Sequence, residues 1–101
     1  MITEVVMRPE SQNSRGVAHG GLLFSMGDTA AGHAARTDGR GYVTQTATIH
    51  FIRNVGLGHT IRADAAIRHR GHATCLVDVE FTDETGRLLA SGDYTFFCIS
   101  G

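Results

Sequence analysis

Asp28 is the one carboxylate in the apolar stretch of residues 17–35, and it shares a helical face with Phe24 and Ala31. Burying an ionised carboxylate without partners is costly, so such a group is usually paired, hydrogen-bonded or used in chemistry. A carboxylate held in this way can act as a general base toward water or as a nucleophile. A structural role, on a helix face that is only half covered, is the alternative interpretation.

Gly20 and Gly21 follow His19 at the point where a polar loop becomes helical. The first N–H groups of a helix have no partner within it and lie at the positive end of its dipole. Glycine lets a substrate carbonyl approach these donors, so the segment suits a developing oxyanion. About 11 to 12 Å of helix axis separates Gly20 from Asp28. A substrate reaches both groups more easily if Asp28 comes from a facing subunit.

The element that must position Asp28 is a helix within residues 17–35, which are rich in Ala, Leu and Met and contain no Pro. Its start is expected near Gly20 or Gly21. One predicted face carries Leu22, Leu23, Met26, Ala30 and Ala34, and the opposite face carries Phe24, Ala31 and Ala35. A helix that is apolar on two sides is expected to be buried at the centre of the fold.

Period-2 alternation follows the helix and predicts four long strands, over residues 43–54, 59–70, 73–82 and 88–99. On the first of them, Ala47, Ile49 and Phe51 are expected to share the inner face. A shorter apolar segment at residues 2–7 predicts one more strand before the helix, and Gly71 predicts a hairpin. The predicted class is α+β, with a long antiparallel sheet wrapped around one central helix.

The length of 101 residues fits a single domain, residues 1–101, with one small core. A formal net charge of -1 argues against the broad basic surface that nucleic-acid binding requires. The 2 cysteines are too few for a disulfide framework, and no signal-peptide core or membrane span is visible in the sequence. We therefore expect a cytoplasmic protein with neither a nucleic acid nor a membrane as partner.

The histidines near the Gly71 turn and the two cysteines are the residues that bear on metal or thiol chemistry. His69 and His72 flank a glycine turn without a nearby Cys or carboxylate, so the pattern predicts a turn rather than a metal site. Cys75 and Cys98 lie on apolar strands, which is typical of inert core thiols. The sequence predicts no metal and no cofactor.

Residues 13–28, NSRGVAHGGLLFSMGD, resemble the signature of hotdog-fold acyl-CoA thioesterases, and more closely that of the phenylacetate-pathway branch. The signature combines an Asn, a His-Gly-Gly tripeptide and an Asp on the central helix at this spacing. Further similarities at residues 43–44, 50–53, 70–72, 86 and 89–92 extend the resemblance over most of residues 10–97. The resemblance implies a hotdog fold and hydrolysis of an aryl- or medium-chain acyl-CoA, with CoA as part of the substrate.

The resemblance also implies a role for each residue of the signature. Asp28 is implied to be the catalytic carboxylate, with its choice between general base and nucleophile left open. Thr44 is implied to lie across a dimer interface and to orient the attacking water. The loop and helix start supply the remaining catalytic groups, namely the N–H donors of Gly20 and Gly21, and His19 and Asn13, which hold the loop and the carbonyl in place.

Four residues are implied, more weakly, to bind the phosphates and nucleotide of CoA: Arg53, Arg70, Gly71 and His72. Arginine suits bidentate phosphate contacts, although all four residues also fit an ordinary surface role. Asn54 stands where the family commonly has Pro, so the turn that follows Arg53 is expected to differ.

If one chain supplies residues 19–21 and the facing chain supplies Asp28 and Thr44, a homodimer is the minimal unit. A tetramer built from two dimers is the expected assembly. The main alternative is a hotdog domain that binds acyl-CoA without catalysis, and it would dispense with Asp28. Hydration or dehydration of an acyl thioester would instead require a differently placed His with an acid. The presence of Asp28 together with His-Gly-Gly favours hydrolysis.

Overall fold

The structure is a computed structural model that describes residues 2–6, 20–54 and 59–101. Its elements are strand β1 (Ile2–Val6), helix α1 (Gly20–Ala35), a short 3-10 helix (Arg36–Asp38), and strands β2 (Gly41–Phe51), β3 (Thr60–Arg70), β4 (Thr74–Thr82) and β5 (Leu88–Ser100). The strands form one antiparallel sheet in the order β1-β3-β4-β5-β2. The predicted α+β class and element order are confirmed, and the helix begins at Gly20 as expected.

The inner face of the sheet forms most of the core and packs against α1. The alternation predicted for β3, β4 and β5 is confirmed for most of each strand, since the inward side chains are fully or almost fully buried. They include Ile61, Ala63, Ala65, Cys75, Val77, Val79, Phe81, Leu89, Tyr94 and Phe96. The alternation is wrong for Ile67, beside a register shift in β3, which was predicted on the inner face but is 39% exposed. The hydrophobic effect of covering this face holds the helix on the sheet.

Helix α1 is covered by the sheet on one broad side rather than all round. Its buried residues include Leu23, Met26, Ala30, Ala31, Ala34 and Ala35. The expectation of burial on both sides was wrong for Phe24, whose side chain is 41% exposed. Ser25, Thr29 and His33 form an exposed polar stripe. A single sheet layer can cover only the side of a helix that faces it, which leaves this stripe open in one chain.

Strand β2 lies at one edge of the sheet and pairs with β5. The register shifts between Thr44 and Thr46, which is the signature of a β-bulge. Beyond the bulge, Ala47 and Ile49 are half-buried against the core, as predicted. Phe51 was predicted on the same face but is 56% exposed, at the last residue of the strand.

Candidate active site

Asp28 and Thr44 are the two predicted catalytic side chains that the structure brings together within one chain. Thr44 Oγ1, on β2 beside the bulge, donates a 2.7 Å hydrogen bond to Asp28 Oδ1 on α1. Asp28 is half-buried, so one side of its carboxylate stays accessible from solvent. Among the residues that the structure describes, the second carboxylate oxygen has no hydrogen-bond partner. The pair thus presents an oriented carboxylate oxygen that can accept a proton or attack an electrophile.

The start of α1 is the second predicted part of the site. Gly20 is the first helical residue, and no acidic side chain lies in the first turn. Gly21 is exposed, and a Cβ atom added to it would meet nothing within 4 Å. The first N–H groups of this turn have no partner within the helix and lie at the positive end of its dipole. His19 and Asn13 lie outside the described residues.

The helix separates the two parts of the site within one chain. Asp28 lies eight residues after Gly20, which corresponds to about 12 Å along the axis. This distance is too long for one carbonyl group to contact both the helix N-terminus and the carboxylate. The two parts can serve a single thioester group only if they come from different chains.

Arg70 was predicted to bind CoA, but the structure gives its guanidinium another environment at the C-terminal end of α1. It donates hydrogen bonds to the carbonyl oxygen of Ala35 at 2.8 Å and to Asp38 Oδ2 at 2.7 Å. It also reaches the Ala34 carbonyl at 3.3 Å and the Tyr42 hydroxyl at 3.1 Å. A cation that satisfies the last carbonyls of a helix stabilises it through both hydrogen bonds and the helix dipole. These contacts account for the position of Arg70 without a ligand.

Asp38 is the anion at the centre of this network. It accepts hydrogen bonds from the Tyr42 hydroxyl at 2.6 Å, from Arg40 Nε at 2.8 Å and from Arg70. The Tyr42 hydrogen bond, followed by those from Arg40 and the charge of Arg70, holds the pKa of Asp38 far below its usual range despite desolvation. The same Arg40 donates to the carbonyls of Gly71 and His72 at 3.1 and 2.7 Å. The network therefore ties the β3-β4 hairpin to the end of the helix.

The other predicted CoA-binding positions differ in accessibility. Arg53 and Asn54 are exposed just beyond β2, and the Arg53 N–H donates to the Leu89 carbonyl at 3.0 Å. The guanidinium of Arg53 is thus available to an anion, whereas its backbone is fixed to β5. His72 is exposed at the hairpin, and Gly71 contributes only backbone there.

Tyr94 is a residue near the site that the sequence reasoning missed. Its side chain is fully buried, and its hydroxyl donates a 2.8 Å hydrogen bond to the Phe24 carbonyl, one helical turn before Asp28. Desolvation, with a smaller contribution from the charge of Asp28, raises the pKa of Tyr94 to about 12. A tyrosine at an inner-face position of a strand was the available signal, because a buried hydroxyl requires a partner.

The described residues contain no group of three His, Cys, Asp or Glu side chains that could hold a metal ion. Cys75 is buried, and desolvation raises the pKa of its thiol. Cys98 is half-buried, and its Sγ lies 3.4 Å from the Ser100 carbonyl. In the part of the chain that the structure describes, no helix is long and apolar enough to cross a membrane.

Comparison with known proteins identifies the family. The model of the thioesterase superfamily matches residues 15–90. The chain belongs to the thioesterase superfamily. This superfamily chain is similar to acyl-coenzyme A thioesterase PaaI of Escherichia coli K12, with 32% identity over 89 residues. The match covers 88% of this chain and 64% of that protein, so the chain spans a little under two thirds of that relative.

Solved thioesterase structures have the same fold, and the expected hotdog fold is confirmed. A protein of Streptococcus mutans UA159, solved with acetyl-CoA bound, superimposes with a TM-score of 0.95 at 29% identity. The superposition covers 98% of this thioesterase-superfamily chain and 80% of that one.

A hypothetical thioesterase of Streptococcus pneumoniae TIGR4 has been solved as two single alanine variants. One replaces an aspartate at position 52 and the other a threonine at position 68 of that protein. Both structures are 29% identical to this superfamily member, with TM-scores of 0.91 and 0.90, and both cover 99% of its length. The superpositions cover 81% and 80% of the length of those two structures. The sixteen-residue spacing of the two altered positions equals that between Asp28 and Thr44.

Proposed function

We propose that this protein hydrolyses an acyl-CoA thioester to a free carboxylic acid and CoA, with an aryl or medium-chain acyl group as substrate. The observation that carries the proposal is the carboxylate of Asp28, on the central helix of a thioesterase fold. Thr44, on strand β2, orients this carboxylate through a 2.7 Å hydrogen bond. The similarity to an acyl-CoA thioesterase and to a fold that binds acetyl-CoA supports the substrate class.

In the general-base route, Asp28 takes a proton from a water molecule whose oxygen attacks the thioester carbon. The tetrahedral oxyanion then collapses, the C–S bond breaks, and the CoA sulfur leaves with the proton that Asp28 had taken. In the nucleophilic route, a carboxylate oxygen of Asp28 attacks the carbonyl and expels CoA. Water then hydrolyses the resulting anhydride and restores the carboxylate. Thr44 orients the carboxylate in both routes.

The oxyanion is stabilised by the free N–H groups at the start of α1, at Gly20 and Gly21. His19 and Asn13 are proposed to hold the preceding loop and the substrate carbonyl. Because about 12 Å of helix separates these donors from Asp28 in one chain, the donors come from the partner subunit. The active unit is therefore a homodimer with two equivalent sites.

The exposed edge of β2 supports pairing between two chains. Phe51 is 56% exposed and Ile52 is 51% exposed at its end, and β2 lies at the rim of the sheet. Unpaired N–H and C=O groups at a sheet edge can bind the same edge of a second copy. Two sheets joined in this way would bring the N-terminus of each α1 toward the partner subunit. A pair of such dimers forms the proposed tetramer.

The CoA phosphates are proposed to bind Arg53, with the exposed His72 as a second contact. Arg53 has a solvent-accessible guanidinium, which suits bidentate contacts to a phosphate. Arg70 is left out of this set because it caps the helix C-terminus.

The proposal is tested by release of CoA thiol, detected with a thiol-reactive dye, from a panel of aryl and straight-chain acyl-CoA esters. Asp28→Asn should lose at least about 2 to 4 kcal/mol of transition-state stabilisation while the fold is retained. Unchanged turnover by this variant would overturn the assignment. Binding of acyl-CoA without any hydrolysis would establish the non-catalytic alternative.

The two routes are separated by a single turnover in ¹⁸O-labelled water with enzyme in excess. General-base catalysis places the label in the acid released in that turnover. In nucleophilic catalysis, water that attacks the Asp28 carbonyl of the anhydride leaves the label on Asp28 and sends an unlabelled Asp28 oxygen into the acid, so label on Asp28 identifies this route.

A further inference from the structure

Tyr94 carries a buried hydroxyl group that the proposed reaction does not use. The residue lies on β5, between β4 and β2 in the sheet, and its side chain has no exposed surface. Its hydroxyl donates a 2.8 Å hydrogen bond to the Phe24 carbonyl inside helix α1. Helix carbonyls are normally satisfied within the helix, so a side-chain donor reaching one from the sheet is an additional attachment.

The same carbonyl oxygen is connected to Asp28 through the backbone. In an α-helix, the carbonyl of residue i accepts the N–H of residue i+4, so the acceptor for the Asp28 N–H is Phe24 O. The Tyr94 hydroxyl and the Asp28 amide thus converge on one oxygen atom. A shift of this turn relative to the sheet would displace the Asp28 carboxylate with it.

The absence of a side chain at Gly27 permits the close approach of Tyr94 to the helix. A Cβ atom at position 27 would overlap the Tyr94 hydroxyl oxygen and would lie 2.7 Å from Phe81 Cζ. The Phe24 ring also contacts the Tyr94 ring, with centroids 5.8 Å apart at a tilt of 56°. The tyrosine is therefore enclosed by the turn that carries Asp28.

The hydroxyl remains a donor throughout the pH range of an assay. Desolvation raises the pKa of Tyr94 to about 12, and the negative charge of Asp28 adds to the shift. The hydrogen bond to Phe24 is therefore present across that range.

We propose that Tyr94 is a positioning residue for Asp28, which sets the height of the helix turn Phe24 to Asp28 above the sheet. The inference rests on the proposed thioesterase activity. Thr44 holds the carboxylate from β2, and Tyr94 holds the backbone beneath it from β5. Positioning of this kind affects the reacting geometry more than the affinity for the CoA portion of the substrate.

The test is Tyr94→Phe, which removes only the hydroxyl. We expect kcat to fall about 5- to 30-fold and KM to change by less than about 2-fold, because a misplaced catalytic group loses rate rather than binding. Tyr42→Phe is the matched control, since it removes the other tyrosine hydroxyl from its 2.6 Å hydrogen bond to Asp38 at the opposite end of the helix. The control should keep the wild-type kcat, although its thermal stability also falls.

A second measurement tests whether Tyr94 acts through Asp28. If it does, Tyr94→Phe should not slow the residual hydrolysis of Asp28→Asn any further. An equal loss in both backgrounds would overturn the proposal, as would equal kcat values for Tyr94→Phe and Tyr42→Phe. If Tyr94→Phe does not fold, Gly27→Ala displaces the same hydroxyl from the helix side and should give the same selective loss of kcat.

The outcomes also separate this inference from the proposed function. If Asp28→Asn is as active as the wild type, the assignment of the reaction fails. If Asp28→Asn is inactive while Tyr94→Phe keeps the wild-type kcat, only the positioning role fails.

Discussion

Thr44 Oγ1 donates a 2.7 Å hydrogen bond to Asp28 Oδ1, and this contact joins the edge strand of the sheet to the central helix. Hydrogen bonds to a charged group contribute about 1.5 to 3 kcal/mol. The two residues lie on separate elements, so the orientation of the carboxylate depends on the local path of β2. The bulge beside Thr44 defines that path.

Thr44→Val keeps the shape of the side chain and removes its hydroxyl. We expect kcat/KM to fall about 10- to 100-fold, which corresponds to the loss of one hydrogen bond to a carboxylate. Steady-state thiol release measures the effect. Thr44→Ser retains the hydroxyl and should stay within about 3-fold of the wild type. A valine variant with wild-type kcat/KM would show that Asp28 does not need this contact.

Gly27→Ala should destabilise the fold, contrary to the usual gain of up to about 1 kcal/mol for alanine over glycine in a helix. The new methyl group would overlap the Tyr94 hydroxyl, and overpacking of a core costs about 1 to 3 kcal/mol. Urea unfolding followed by circular dichroism gives the free energy of unfolding. Gly32→Ala is the control, because the atoms nearest to its Cβ would belong to the flexible guanidinium of Arg36. Equal stability of the two variants would contradict the close packing at Gly27.

Asp38→Asn should lower stability at neutral pH and have less effect in acid. The folded-state pKa of Asp38 is depressed, so its carboxylate stabilises the native state above the unfolded value near 3.8. That contribution is lost as the pH falls below 3.8 toward the lower folded-state pKa. The difference between the urea midpoints of wild type and variant should therefore be constant from pH 7 to about pH 5 and shrink steadily as the pH falls from about 4 to about 2. A difference that does not depend on pH would mean that the charge of Asp38 is unimportant.

Phe51→Lys should weaken association between chains. The phenylalanine is 56% exposed at the end of the edge strand. Association through this edge would bury position 51, and burying the charge of a lysine there is costly. Sedimentation velocity should show more monomer, and specific activity should fall as the protein is diluted. Thr85→Lys, in the exposed β4-β5 turn, is the control and should sediment like the wild type. A monomer with full specific activity would exclude a site shared between two subunits.

The fold could be predicted from the sequence because its main signals are local. Alternation marks β3, β4 and β5, and the change to an Ala- and Leu-rich stretch places the start of α1 at Gly20. The exposure of Phe51 could not be predicted in this way. It depends on which side chains of other elements reach the end of β2, and alternation along one strand does not encode this.

The candidate site was only partly predictable for a related reason. The choice of Asp28 and Thr44 as site residues followed from a family resemblance, and the structure adds the hydrogen bond between them. Arg70 has the side chain expected of a phosphate ligand, but its guanidinium is directed by the last carbonyls of the helix, those of Ala34 and Ala35. Tyr94 was missed because its partner is a main-chain oxygen on another element. Contacts of this type leave no periodic pattern in the sequence.

The contact between Gly27 and Tyr94 limits how this chain and its relatives can diverge. The two positions share one small volume under the helix, so a larger residue at 27 packs without strain only with a smaller one at 94. A relative that acquired alanine or serine in the helix would lose stability unless the aromatic side chain on the strand became smaller. We therefore expect these two positions, which are distant in sequence, to covary among homologues. Grafting the helix of a relative onto this sheet would require exchange of both residues together.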